Sequence, residues 1–296
     1  MVYQDNLLVT LNSKNATLNN VTLKSNVNFK FISLLRDEDL MVRTYVSVLN
    51  AQIPVSFYVI NSTNNKLIYN TFAPNTQITL TIPPGNYNSF VLSSTLTSLF
   101  STNSITIIIT INSQTGIMTF MQSLSAFTIY ASSSIASVLG MYNTNLSGLS
   151  ITFPYPVNLL GVKKINIKSN ALAINSASSE TYTFSSNIVS IPVNDPYFSM
   201  ISYVNTNNLN MNILKSPTVD DIDIQMTDEN DKLLDFNNLD WTITLCLASE
   251  KIDVIRDRTK LKDIVSYPIF KNNTIENLPV EKVLSKDEEE LKLLEK

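Results

Sequence analysis

A chain of 296 residues, 44% hydrophobic and only 16% charged, is long enough to bury a core without staples, and its single cysteine, Cys246, excludes an intrachain disulfide. The absence of any histidine removes Ser-His-Asp and Cys-His catalysis and every His-containing zinc site. A formal net charge of -4 argues against DNA or RNA as the main partner, because phosphate binding needs a basic face.

Polarity comes from neutral side chains instead: Asn 36, Ser 34 and Thr 28, with only 5 glycines. The segment Met1 to Leu11 carries Asp5 and lacks a basic start followed by an apolar run, so no signal peptide is expected. The longest apolar stretch, Ile105 to Ile111, is far too short to span a bilayer as a helix, and no membrane partner is expected from it.

Along the chain, short β-branched and aromatic runs alternate with Thr, Asn or Ser and are separated by Asn/Ser-rich turns, which predicts strands. They fall at Leu7–Leu11, Val27–Ser33, Met41–Leu49, Pro54–Ile60, Lys66–Tyr69, Gln77–Ile82, Ile105–Ile111 and Ile117–Met121. Further ones follow at Phe127–Tyr130, Val162–Lys168, Ile188–Val193, Met200–Val204, Asp221–Thr227 and Trp241–Leu247. Two hairpins are predicted, one turning through residues 60–66 and one through Asn112–Gly116.

The prolines of Ile82-Pro-Pro-Gly-Asn-Tyr87 must end a strand, and Asn88 or Ser89 is placed to cap a helix over Phe90–Phe100 with an apolar stripe. Ser132–Gly140 is expected to form one or two helical turns. In Trp241–Leu247 the residues Trp241, Ile243, Leu245 and Leu247 face one side, and Thr242, Thr244 and Cys246 the other. This spacing is that of an all-β sandwich or barrel.

Charge divides the chain. No Asp, Glu, Lys or Arg occurs between Lys66 and Lys163, a block of 96 residues, whereas residues 250–296 hold 10 Lys/Arg and 11 Asp/Glu. The expected organisation is a body over residues 1–249, with the charge-free block 67–162 as a suspected insertion, and a charged C-terminal tail over 250–296. Within that tail, Ser285-Lys-Asp-Glu288 has capping-box spacing and predicts a short terminal helix.

No constellation in the sequence is chemical in character. The acidic group Asp220, Asp221, Asp223, Asp228, Glu229, Asp231 and Asp235 lacks the order of a calcium loop and is read as solvated strand edge and turn. Cys246 has no base beside it, and no glycine-rich phosphate loop follows a strand. The sequons at Asn15, Asn20, Asn61, Asn145 and Asn272 are expected to be unused. Phe153-Pro-Tyr-Pro156 and Pro196-Tyr-Phe198 read as turn packing. No catalytic, cofactor-binding or metal residue is assigned, no cofactor is expected, and the chain reads as a building block, not an enzyme. Neutral Asn/Ser/Thr surfaces form hydrogen-bonded interfaces without desolvating ions.

Several segments in order carry a family resemblance. They are Ile82–Tyr87 with its helix, the Ile105–Met121 hairpin, Tyr155-Pro-Val-Asn-Leu-Leu-Gly161 leading into Lys164–Asn170, Ile191-Pro-Val193, and Leu234–Leu245. Together they resemble the penton, or minor capsid, protein of Mavirus-type virophages and the related Polinton-like and adintovirus-like elements, over about residues 77 to 248. The resemblance implies a jelly-roll β-sandwich with an inserted helix and extra strands, no enzyme activity and no cofactor. It implies a homopentamer at the icosahedral fivefold vertices of a virion, assembled in the host cell beside the major capsid protein. Residues 250–296 are the expected tether to that neighbour. The alternative is an adhesive head or carbohydrate-binding module using Asp195, Tyr197 and Phe198.

Overall fold

The computed structural model describes residues 4–19, 23–35, 42–72, 75–173, 176–178, 183–206, 211–216 and 219–251. The tether and terminal helix expected beyond Lys251, and the sequons at Asn20 and Asn272, lie outside them. The strands run in chain order as β1 (Gln4–Asn12), β2 (Thr17–Leu18), β3 (Asn26–Leu35), β4 (Val42–Pro54), β5 (Lys66–Phe72) and β6 (Asn75–Thr81). After helix α1 (Ser89–Thr102) come β7 (Ile108–Ile111), β8 (Met118–Met121), β9 (Phe127–Ile129), β10 (Leu146–Gly148), β11 (Ser150–Thr152) and β12 (Lys164–Lys168). The remainder are β13 (Ser176–Ser178), β14 (Thr183–Ser185), β15 (Asn187–Pro192), β16 (Met200–Val204), β17 (Asn212–Ile213), β18 (Val219–Thr227) and β19 (Thr242–Lys251).

Eight of these strands define the architecture through nested antiparallel pairs. β1 pairs with β19, β3 with β18, β4 with β16 and β12 with β15, so the first strand meets the last and each inner pair sits within the one before. Two cross-pairings, β19 with β4 and β12 with β18, roll this long hairpin into two sheets. Their orders are β1-β19-β4-β16, with β17 beside β4, and β15-β12-β18-β3-β2. Two four-stranded sheets wound this way form a jelly roll.

Sequence pattern sets which faces close on each other. Val9 and Leu11 of β1, Val46 and Val48 of β4, and Ile243, Leu245 and Leu247 of β19 are buried. From the second sheet Val27, Phe29, Ile165, Ile167, Ile222, Ile224 and Met226 join the same core. Trp241 stands edge-on to Phe29 with ring centroids 6.2 Å apart, and its indole N–H donates to the Lys24 carbonyl at 2.8 Å. A buried indole is thus fully used as apolar bulk without an orphaned donor.

Between β4 and β12, the third and fourth strands of the roll, lies a second apolar cluster drawn wholly from residues between Ile60 and Phe153. It is framed by a sheet of order β10-β9-β5-β6, a sheet of order β11-β8-β7, and α1. Asn88 caps α1, its side chain accepting from the Val91 N–H at 2.8 Å, and Leu92, Leu96 and Phe100 form the buried stripe. A row of edge-on rings, Tyr69, Phe100, Phe120 and Phe153, runs through this core with centroids 4.9, 6.0 and 5.0 Å apart.

Three local expectations are corrected. Pro54–Ile60 is not a strand: only Pro54 closes β4, and the link beyond it runs between the two cores. Val55 and Phe57 sit in the first and Ile60 in the second. Its backbone bonds to loops, Val55 N–H to the Ser199 carbonyl and Val59 N–H to Asn86, so the alternation arose from bridging two interiors, not from a sheet ladder. The hairpin expected over residues 60–66 therefore does not exist, and β5 pairs with β6 and β9 instead. Ser132–Gly140 forms successive turns, not regular helix, because Ser133 and Ser134 give their hydroxyl oxygens to the Ile68 and Lys66 N–H groups at the start of β5, which β9 leaves unpaired.

Candidate functional site

The jelly roll presents two outward sheet faces, and their chemistry differs. On the β15-β12-β18-β3 sheet the outward positions include Lys30, Lys164, Lys168, Asp221 and Asp223, with Lys30 directly opposite Asp221. On the β1-β19-β4-β16 sheet, register gives the rows Asn12, Thr242, Gln52, Ser202, then Thr10, Thr244, Asn50, Val204. The next rows are Leu8, Cys246, Ser47 and Asn6, Ala248, Tyr45, Ile213. None of these fifteen residues is Asp, Glu, Lys or Arg, and charged residues enter the register at the sheet end, where Glu250 pairs with Gln4 and Arg43.

Large apolar side chains break the surface of this neutral face: Val204 at 61%, Leu8 at 58%, Ile213 at 53% and Met200 at 50% relative exposure. Among them the Thr10 and Thr244 hydroxyls pair across β1 and β19 at 3.4 Å. Such a face associates with another protein surface without stripping water from ions. Burial pushes the Cys246 thiol up from its ordinary pKa, which makes it a weaker nucleophile at neutral pH.

The acidic residues marked in the sequence are dispersed into structural tasks. Asp223 accepts from Ser169 Oγ at 2.8 Å and from the N–H groups of Asn170 and Ala171 at 3.0 and 2.8 Å, closing the turn after β12. Asp228 accepts from the Asn230 and Lys232 N–H groups, Asp231 pairs with Lys168 at 2.6 Å, and Asp235 accepts from the Asn237 N–H. Glu229 accepts from the Lys163 N–H at 3.2 Å. Asp220 and Asp221 line an open depression of about 370 Å³ with Asn170, Ala171, Lys215, Ser216 and Val219. There the Lys215 ammonium donates to the Asn170 carbonyl at 3.1 Å. Among the described residues no three Asp, Glu, Cys or His side chains gather as a metal-binding group.

The residues of the carbohydrate-binding alternative are divided between core and surface. Asp195 is exposed, Tyr197 packs against the first core with burial raising its phenol pKa, and Phe198 stands 83% exposed at φ 66°. An acid missed in the sequence reading, Asp240, is held below the usual carboxylate range by hydrogen bonds from Lys24 and Ser13. The neutral face itself was missed as a site. Its signal was present in the outward halves of the alternating strands, but only the strand order shows that those halves are neighbours.

A scan of protein-family models finds no match, and a search of curated proteins finds none. Among solved structures the chain is similar to a crystal structure of the mavirus penton protein, at 8% identity and a TM-score of 0.46, over 83% of this chain and 99% of that chain. It is also similar to VP17, a capsid protein of bacteriophage P23-77, at 9% identity and a TM-score of 0.20, over 85% of this chain and 100% of that one. The fold assignment rests on the strand order of the chain itself.

Proposed function

We propose that this chain is a structural capsid protein of a virion, a penton that assembles as a ring of five at the fivefold vertices and contacts the neighbouring major capsid protein. The observation that carries this reading is the asymmetry of the jelly roll: one outward face carries lysines and aspartates, the other is neutral, hydroxyl-rich and studded with exposed aliphatic side chains. A ring requires each subunit to offer two different surfaces, with closure set by the angle between them. The neutral β1-β19-β4-β16 face is assigned as one of the two. Residues 67–162 act as an inserted domain, and residues 250–296 as the tether to the adjoining capsomer. No catalytic step is assigned to the chain.

Light scattering of the purified full-length chain tests the ring. A mass five times that of the chain supports it. A clean trimer, or a monomer that stays monomeric when co-expressed with the major capsid protein, overturns it.

A further inference from the structure

The cluster between Ile60 and Phe153 has two ends, and register identifies them. At one end the chain arrives and departs: Ile60 bridges Gly85, Lys66 opens β5, and the Phe153 N–H donates to the Met118 carbonyl at the start of β8. The opposite end is made of links. β5 turns into β6 at Phe72, residues 122–126 cross from β8 to β9, Leu149 crosses from β10 to β11, and β7 begins at Ile108 directly opposite Met121.

This far end is apolar where it should be polar. Leu124 is 89% exposed, Ile108 58%, Phe72 57%, Leu149 55% and Met121 38%. They are neighbours by backbone pairing: the Gln122 N–H donates to the Leu149 carbonyl at 2.9 Å, and the Phe72 N–H to the Ala126 carbonyl at 3.4 Å. Clustered exposure of this kind marks an interaction site, unlike isolated surface leucines.

We propose that this link end is a lipid-contacting surface that inserts shallowly into the interface of an uncharged, zwitterionic membrane. Two observations select that occupant. First, no Asp, Glu, Lys or Arg lies between Lys66 and Lys163, so the end offers no attraction to anionic headgroups and no side chain charged at neutral pH to desolvate at the apolar boundary. Second, the links satisfy some of one another's backbone groups, which lowers the cost of moving them out of bulk water. The serines among them, Ser123 and Ser125, are neutral and suit the headgroup layer. This contact is peripheral. It is compatible with the absence, among the described residues, of any helix long and apolar enough to cross a membrane, and it revises the expectation of no membrane partner, which considered only a helical span.

The test is flotation of the full-length protein with phosphatidylcholine vesicles, beside the double variant Leu124→Ser, Leu149→Ser. Both side chains are largely exposed, so the variant is expected to melt with the wild type. The wild type should float, equally at about 0.1 and 0.5 M salt, and the variant should lose roughly tenfold in bound fraction. Three results overturn the proposal: no flotation, flotation that the variant leaves unchanged, or flotation only on anionic vesicles with loss at high salt. Failure to float combined with a lower solution mass in the variant overturns it in favour of contact with a second copy of the chain.

Discussion

The hydroxyl oxygens of Thr10 and Thr244 face each other across β1 and β19 at 3.4 Å, in the middle of a sheet face that carries no charge. Paired hydroxyls need nothing from a partner, so the face can be dehydrated at low cost. A lysine at position 244 would instead force an ammonium to be desolvated or the partner to withdraw. If the proposed ring forms, Thr244→Lys is therefore expected to convert it to monomer while shifting unfolding stability by less than about 1 kcal/mol. Light scattering and thermal melting check both halves, and a ring that survives the substitution would remove this face from the interface.

Gly140 ends the turns of residues 132–140 at φ 81°, and a Cβ there would lie 2.1 Å from the Tyr155 carbonyl oxygen. The obstruction is backbone that is itself tied down, the Tyr155 N–H donating to the Gly140 carbonyl at 3.2 Å. Gly140→Ala is expected to cost about 2 kcal/mol or more. Denaturant unfolding reads it directly, and an unchanged midpoint would contradict the geometry.

Asp240 accepts from Lys24 at 2.7 Å and from Ser13 at 2.8 Å, and these bonds lower its pKa in the folded chain. A depressed carboxylate pKa contributes stability that is present above the unfolded value, near 4, and lost as pH falls through the folded one. The pair is partly exposed, so the contribution is at most about 1 kcal/mol. Asp240→Asn should melt below the wild type at pH 6, with the gap closing towards pH 3. A gap that stays constant across that range would refute the linkage.

Asp223 gathers three donors at the turn after β12, and Ser169 Oγ in turn accepts from the Leu172 N–H at 3.2 Å. Asp223→Ala leaves those donors without their acceptor and is expected to cost about 1–3 kcal/mol. Amide hydrogen exchange at Asn170 and Ala171 should accelerate. Unchanged protection there would show that the turn stands without the carboxylate.

The alternation of apolar and hydroxyl residues made β1, β18 and β19 legible, because each has one face in a core and one outside. Asn88 and the two prolines before it located α1 nearly to the residue, since capping and ladder-breaking are local effects. The strands β10 and β11 were not legible: three residues each, with Gly148 between Leu146 and Ser150, they hold no periodicity and exist because β8 and β9 supply partners. The link Val55–Ile60 misled for the opposite reason, since burial in two cores imitates strand alternation. The neutral face was beyond reach of the sequence because it joins β1, β4, β16 and β19, and only long-range pairing brings those segments together.

The pairing of β1 with β19 also sets an order of events in folding. Leu11 meets Ile243 across almost the whole described chain, a closure of high contact order that cannot form until the last strand has left the ribosome. The buried members of the second cluster all lie between Ile60 and Phe153, and the apolar residues packed against it reach no further than Leu159. During synthesis that part can settle early, while β1, β3 and β4 wait with unpaired edges for strands not yet made. The interval before β19 arrives is when the nascent chain is most exposed to mispairing with its neighbours, and slowed translation after residue 163 should raise aggregation more than slowed translation before residue 60.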